Sequence, residues 1–525
     1  MTCKSLRHFA WLGLLTLVAC THSDLRPDYP RVPSTMLPAT ADAPLAAYAT
    51  RLTTRHTTES GVRLISDANE ALLARIALAD RAVHSLDLQY YTFHSDATGE
   101  LLANHLIAAA DRGVRVRLLL DDLHVAGNDE VLRALDGHPH IEIRLFNPFL
   151  ERNSSLWGIG KQFAGDFSRL NRRMHNKAFI ADSSMAIAGG RNIGDEYFDA
   201  SGNVNFRDLD VLVVGPVVQE IGTAFDNYWN SQLSFPIGAF HHKALNPAEA
   251  ASIREDIRVN ARLFSQSNYA QNLVTRAGDV THEVSSADWA WGPATYLADD
   301  PEKANPTTSN DGLTMVPAMR AWTDSAQHRL TLINPYFLPG ERGVTYLQNL
   351  RDRGVEIHVL TNSLASTDAG DVYNAYASYR PPLLKMGVSL YELKPDPSGG
   401  HGGGSHFFGS SSGSNSLHAK AIVVDDGHAF VGSMNLDPRS LDLNTEDGVI
   451  IESPVLAQAL LAIFADATRP THSYSVLLDG STGRVYWQGQ QSDGQVIRYD
   501  HAPETTWWRR FKVGLGDLLP IEHLL

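Results

Sequence analysis

Cysteine is nearly absent from this chain: of 525 residues only Cys3 and Cys20 are cysteine, and both fall in the first twenty positions. A disulfide framework for the folded body downstream is thereby excluded, so its core must be held by burial alone. Basic residues are also in deficit, with 44 Lys and Arg against 59 Asp and Glu and a formal charge of −15. A surface of that sign repels nucleic acid over most of its area, which disfavours a general DNA or RNA binder and requires any phosphate site to be locally basic. Long apolar runs are missing as well. Phe9 to Val18 is too short to span a bilayer comfortably, and no other stretch is long and apolar enough to cross one.

What is present begins with an export signal. Lys4, Arg7 and His8 precede the apolar run, and Ala19 precedes Cys20. The string Leu17-Val18-Ala19-Cys20 resembles the lipobox of bacterial lipoproteins. That resemblance implies removal of residues 1–19 and lipidation of the Cys20 thiol. It also implies an exported lipoprotein that faces the periplasm and is anchored to a bacterial membrane. Thr21 stands where an inner-membrane-retention aspartate is usual, which leaves the outer membrane open as the destination. Residues 20–60 carry Pro27, Pro30, Pro33, Pro38 and Pro44 with little periodicity and read as an extended, lipidated tether.

The length exceeds one ordinary domain of roughly 100–200 residues, so two lobes are expected. Asp67 with Glu70 is placed to form a capping box, and Leu72, Ile76, Ala79 and Val83 repeat at helical spacing. A strand over Leu86 to Phe93, a helix ending at Gly113 and a strand over Val114 to Leu120 follow, the pattern of a parallel sheet. The pattern returns at Leu330 to Phe337, at a helix ending at Gly354, and at Val355 to Leu360. Asp111-Arg-Gly-Val-Arg-Val116 matches Asp352-Arg-Gly-Val-Glu-Ile357 at an offset of 241. The expected divisions are a first lobe over 61–237, an inter-repeat insertion over 238–317, a second lobe over 318–465 and a C-terminal extension over 466–525. Pro397 to Ser416, rich in Gly, Ser and His, reads as a mobile loop in which His401 and His406 are solvated rather than metal-bound.

Each repeat carries the same motif. His175-Asn-Lys177, Asp182 and Asn192 in the first are matched by His418-Ala-Lys420, Asp425 and Asn435 in the second, all at an offset of 243. His and Lys two positions apart on a strand share one face, so each pair is expected to meet a phosphate together. One imidazole can attack phosphorus without a metal while a second protonates the leaving oxygen. Lysine and asparagine donors suit the non-bridging oxygens, which gather charge in the transition state. No metal or cofactor is called for.

These residues resemble the paired HKD motifs of the phospholipase D superfamily. The resemblance implies an α/β fold of two α-β-α lobes related by a pseudo-two-fold axis, with the active site at their interface. It assigns His175, Lys177, Asp182, His418, Lys420 and Asp425 to the catalytic motifs, with His175 favoured as nucleophile. Asn192, Asn435 and Ser433 are expected to bind phosphate, and Asp208 and Glu446 to orient the histidines. The motif aspartates are read as fixing local backbone rather than touching substrate.

Leu88-Gln-Tyr-Tyr91, Asp166 to Met174, Gly189 to Asp195, Leu360 to Leu364 and Leu436 to Ser440 are similar to bacterial cardiolipin synthases. The implied partners are phospholipid substrates and a membrane surface, with no nucleic acid. The alternatives are a periplasmic phosphodiesterase or nuclease of the same superfamily and a non-catalytic lipid-binding lipoprotein. Trp507 to Lys512 with Val513, Leu515, Leu518 and Leu519 fits an interfacial helix and a core-docked helix equally.

Overall fold

Two sheets carry the repeats. In a computed structural model, residues 24–506 are described apart from 27, 126, 153–155, 241–244, 274, 276–288, 396–413 and 492. The export signal, Cys20, His401, His406 and the segment from Trp507 lie outside the described residues.

In the first sheet the strands lie side by side in the order Ala290–Gly292, Ser60–Ile65, Asp210–Val214, Met185–Gly189, Ala178–Ala181, Ser85–Tyr90, Arg115–Asp121, Ile141–Phe146 and Ser234–Pro236. The second runs Ala294–Ala298, Asp447–Glu452, His428–Gly432, Ala421–Val424, Arg329–Ile333, Glu356–Asn362, Ser389–Leu393 and Ser473–Leu478, then adds Val485–Gln490 and Val496–Tyr499. Eight successive strands thus keep one order in both lobes. The fifth to seventh of these are parallel and joined through helices, as a βαβ connection requires.

The helix Ala68–Arg81 begins where expected. Asp67 accepts the Glu70 backbone N–H at 2.9 Å, but the Glu70 side chain bonds Arg63 instead of returning to the cap, so only half of the capping box forms. Its counterpart Val316–Thr323 has 8 residues against 14.

Burial joins the lobes. One apolar core, including Val62, Ala178, Val211 and Phe225 of the first lobe and Ile333, Ala421, Val423 and Leu460 of the second, runs across the seam between the sheets. The helix Val217–Trp229 packs on the strand Ala294–Ala298 of the second sheet, and the helix Pro454–Ala467 packs on Ser60–Ile65 and Ala290–Gly292 of the first. Each repeat therefore ends by bracing the other.

Three expectations are corrected here. The segment after Asp24 is not a free tether: Met36 N–H bonds Asp226 at 2.7 Å, Arg117 donates to Ser34 O at 3.0 Å, and the helix Pro44–Thr53 buries Leu45 and Ala49 in the first-lobe core. Arg117 and Arg144, buried among aromatic rings, need acceptors, and this segment supplies carbonyls to both. Nor is 238–317 simply an insertion between the repeats. It contains the helix Pro247–Phe264, which packs on the first lobe, and one strand for each sheet. The residues after 465 include Ser473–Leu478, which continues the second sheet as Ser234–Pro236 continues the first.

Candidate active site

The motif histidines stand just before strands rather than on them. The regular strands start at Ala178 and Ala421, and His175 to Lys177 and His418 to Lys420 form the extended entry to each. What fixes these entries is a pairing between lobes that the linear sequence hides. Met174 bridges Thr445, and the His175 N–H bonds Thr445 O at 2.9 Å. On the other side Ser414–Leu417 pairs with Val204–Arg207, and the His418 N–H bonds Arg207 O at 2.8 Å. The approach to each histidine is thus zipped to the segment preceding the opposite lobe's carboxylate.

That exchange sets the chemistry. His175 Nδ1 lies 2.8 Å from Glu446 of the second lobe, and His418 Nδ1 lies 2.5 Å from Asp208 of the first. With Nδ1–H donated to a carboxylate, Nε2 of each ring is left to face substrate, as a lone pair when the ring is neutral and as an N–H when it is protonated. Lys420 Nζ also stands 2.9 Å from His418 Nδ1, but a nitrogen whose proton goes to Asp208 cannot also accept. The bond Lys420 makes is to the His418 carbonyl, at 2.5 Å, and Lys177 bonds the His175 carbonyl in the same way.

The environments are electrostatically distinct. Burial is the largest cause holding both imidazoles below their ordinary value, His175 well below, assisted by the nearby lysine charges. Burial also brings Lys177 down to about 7 and Lys420 to about 8. Burial would raise Asp208, but His418, Lys420 and Arg191 overcome it and hold the carboxyl at about 2. For Glu446 burial wins over Lys177 and Ser433 and the carboxyl is raised. Its neighbour Asp447 is pushed up to about 7 by burial while accepting the Lys177 N–H at 3.0 Å and the Tyr296 hydroxyl at 2.6 Å.

The other expected residues divide. Asp182 accepts from the N–H groups of Val83, His84 and Ser85, and Asp425 from those of Gln327, His328 and Arg329. Both adopt positive φ, 48° and 50°, in matching turns, a conformation aspartate tolerates. They brace backbone, as expected from the sequence, and their side chains are occupied with that task.

Ser433 is corrected: its hydroxyl donates to Glu446 at 2.6 Å and accepts from Asp447 N at 2.9 Å, so it positions a carboxylate. Its counterpart Gly190 has no room for a side chain, because a Cβ there would sit 2.2 Å from Asp208 Oδ1. Asn192 is tied on both sides, accepting from Thr92 N at 3.1 Å and donating to the Tyr197 hydroxyl at 2.9 Å. Asn435 is buried, and its amide oxygen has no hydrogen-bond partner among the described residues.

Several site residues are not evident from the sequence. Rings wall both histidines: Tyr91 meets His175 at 5.0 Å, and Phe206, Tyr197 and Tyr336 meet His418 at 5.0, 5.4 and 6.4 Å between centroids. Asp121 takes the Met174 N–H at 2.9 Å, and Asn362 takes the Leu417 N–H at 2.9 Å. The 241-residue offset of the scaffold repeat relates these two positions and is the signal that points to them. Arg169, Arg172 and Arg173 are engaged within the protein, bonding Asn147, Lys303 O and Asp121 among others.

Two repeated half-sites, each completed by a carboxylate from the other lobe, define a phospholipase D-like enzyme. Comparison with known proteins places the chain within that class. Residues 75–229 and 320–467 match the family described as "Cardiolipin synthase, PLD-like domain", and the chain belongs to this family. It is 38% identical over 484 residues to cardiolipin synthase C of Escherichia coli K12, covering 92% of this chain and 99% of that one. It is 25% identical over 389 residues to cardiolipin synthase 1 of Bacillus cereus, covering 73% and 62%. Phosphatidylserine synthase of Haemophilus influenzae shares the fold, with a TM-score of 0.53, 13% identity, and coverage of 91% of this chain and 100% of that one.

Proposed function

We propose that the protein is a cardiolipin synthase-like phosphatidyltransferase that works through a phosphatidyl-histidine at a membrane surface. The supporting observation is the crossed pairing of His175 with Glu446 and His418 with Asp208, which prepares two imidazoles of unlike character. Neutral His175, its Nδ1–H held by Glu446, suits attack on phosphorus. His418 is held less far below its ordinary value than His175, because the ionised Asp208 beside it offsets part of the effect of burial and favours the imidazolium, which suits it to proton transfer.

With phosphatidylglycerol as donor, Nε2 of His175 forms a bond to phosphorus as the phosphorus–oxygen bond to glycerol breaks. The departing oxygen takes a proton from Nε2 of His418. The hydroxyl of a second lipid then gives its proton to His418 while its oxygen attacks phosphorus. The phosphorus–nitrogen bond breaks, and both histidines return to their starting state. Lys177, Lys420 and Asn435 supply donors to the non-bridging oxygens. Phosphatidylethanolamine as donor follows the same steps, and water as acceptor yields phosphatidic acid.

Lipid attached at Cys20 anchors the enzyme in this reading. Cys20 stands four positions before Asp24, whose N–H bonds Leu150 O at 2.8 Å, so a membrane anchor there holds the first lobe close to the bilayer. No helix among the described residues is long and apolar enough to cross a membrane. Metabolic labelling with a fatty acid is expected to mark the wild-type chain and not Cys20→Ser; equal labelling of both removes the anchor from this reading. Activity is tested by incubating the purified protein with phosphatidylglycerol, with and without phosphatidylethanolamine, and analysing lipids by mass spectrometry. Cardiolipin is expected, and absence of cardiolipin, phosphatidic acid and exchanged headgroups overturns the proposal.

A further inference from the structure

The second lobe contains an apolar cleft of about 460 Å³ that the catalytic residues do not occupy. Its floor is the outer face of the second sheet, where Leu330, Leu332 and Ile422 project, and its walls include Phe337, Met434 and Leu436. Helices Val316–Thr323 and Gly340–Asp352 form the sides through Met319 and Leu347. In the first lobe the corresponding layer is filled: the longer helix Ala68–Arg81 buries Ala71, Leu72 and Arg75 against its sheet. The eight-residue counterpart in the second lobe leaves space where the repeat would have packed side chains.

Two features connect the cleft to the reaction. At the end of the strand Arg329–Ile333 the chain presents Tyr336 to the His418 ring and the next residue, Phe337, to the cleft. Asn435, with its unpartnered amide oxygen, sits between Met434 and Leu436, both of which line the cleft. Charges stand at its border: Arg320 and Asp311 are exposed, and the exposed Arg342 pairs with Asp442 at 2.9 Å. An apolar interior with a zwitterionic border beside a phosphate-handling asparagine fits an amphiphile better than a polar metabolite, and the volume falls within the roughly 300–1,000 Å³ of ligand pockets.

We propose that this cleft receives one acyl chain of the phosphatidyl substrate, with its phosphate at Asn435 and the chain lying between the two helices and the sheet. The assignment rests on the phosphatidyltransferase reading and adds to it: the enzyme grips the lipid through one chain as well as through its phosphodiester, and does so from the second lobe only.

Filling the cleft tests this. Leu441 and Val316 line it and lie outside the catalytic machinery. Turnover of dipalmitoyl- and dibutyryl-phosphatidylglycerol, presented in the same detergent micelles, is compared for wild type, Leu441→Trp and Val316→Trp. Binding of the fluorescent fatty acid cis-parinaric acid is measured in parallel. The variants are expected to lose about tenfold or more in kcat/KM on the dipalmitoyl substrate and to stay within roughly twofold on the dibutyryl one, with parinarate binding weakened by a similar factor. Retained dibutyryl turnover also shows that the variants fold. Unchanged discrimination between chain lengths together with unchanged parinarate binding, the outcome for a protein-docking groove, overturns the assignment. If wild type turns over neither lipid, the phosphatidyltransferase reading fails, and the parinarate arm alone decides whether the cleft binds an acyl chain.

Discussion

The half-sites around His175 and His418 carry one motif and the same backbone bracing, yet differ in the groups that surround each carboxylate. Around His418 the carboxylate is short, fully hydrogen-bonded and held at about 2: Asp208 accepts from His418 and from Leu209 N at 2.8 Å, pressed against Gly190. Around His175 the carboxylate is longer and raised. Glu446 takes the Ser433 hydroxyl, has one oxygen unpartnered among the described residues, and adjoins Asp447 at about 7. The repeats supply symmetry, and in the proposed mechanism the departures from it separate one ring suited to attack from one suited to carry a proton. The asparagines part in the same manner, Asn192 tied into the first lobe and Asn435 left with an unpaired oxygen.

Removing the rings themselves breaks the comparison most severely. His175→Ala is expected to slow release of any leaving group by about 10⁴-fold or more, whereas His418→Ala slows release of glycerol by about 10²–10⁴-fold and that of nitrophenol, which departs without a proton, far less. Single-turnover release of the two leaving groups checks this. Equal sensitivity of both variants to the leaving group would show that the half-sites share one role.

The orienting carboxylates come next. Glu446→Gln and Asp208→Asn each turn a proton acceptor toward Nδ1 into a possible donor and so favour the wrong tautomer, an effect of about 10²–10⁴-fold. Glu446→Gln is expected to block the first chemical step, and Asp208→Asn to spare it for nitrophenyl substrates. Pre-steady-state nitrophenol release distinguishes the two: a retained burst for the first variant and a lost one for the second would reverse the assignment.

The motif aspartates sharpen the comparison away from the chemistry. Asp182 is 2% exposed and holds three backbone N–H groups, so Asp182→Ala should cost about 2–4 kcal/mol of stability. Asp425 makes the same bonds nearer to water, where solvent can replace them, and Asp425→Ala should cost about 1–2 kcal/mol. Urea denaturation checks the order.

Phosphate affinity gives the smallest effect. Lys177 at about 7 and Lys420 at about 8 lie below the ordinary lysine range, so raising the pH through that window strips first one cation and then the other from the site. Affinity for vanadate is therefore expected to fall by about tenfold between pH 6.5 and 8.5 as those charges are lost. Titration calorimetry at fixed ionic strength reads it, and affinity that rises with pH is incompatible with cationic lysines at the site.

Much of the fold and of the site is legible in the amino-acid sequence. The repeated motif at an offset of 243 identifies both histidines and both lysines, and the scaffold repeat at 241 gives the parallel core of each sheet, because periodicity and turn chemistry are local properties. The exchange of Glu446 and Asp208 is not legible, since it depends on pairing between residues 271 and 210 positions apart. Ser433 misleads for a related reason: a hydroxyl beside a phosphate motif looks like a phosphate donor until Glu446 appears 2.6 Å away. The proline-rich segment before Pro44 looks like a free tether because the sequence does not reveal that buried Arg117 and Arg144 take its carbonyls.

The proposed mechanism is tested most directly through the atom it assigns to carry the lipid between half-reactions. His418→Ala enzyme, mixed for milliseconds with a short-chain phosphatidyl nitrophenol, quenched and digested under alkaline conditions that preserve phosphorus–nitrogen bonds, is read by peptide mass spectrometry. A phosphatidyl mass on the peptide containing His175, absent from the His175→Ala enzyme, is expected. A label that survives in His175→Ala on the peptide containing His418, or no labelled histidine while nitrophenol is still released, contradicts the roles assigned to the two rings.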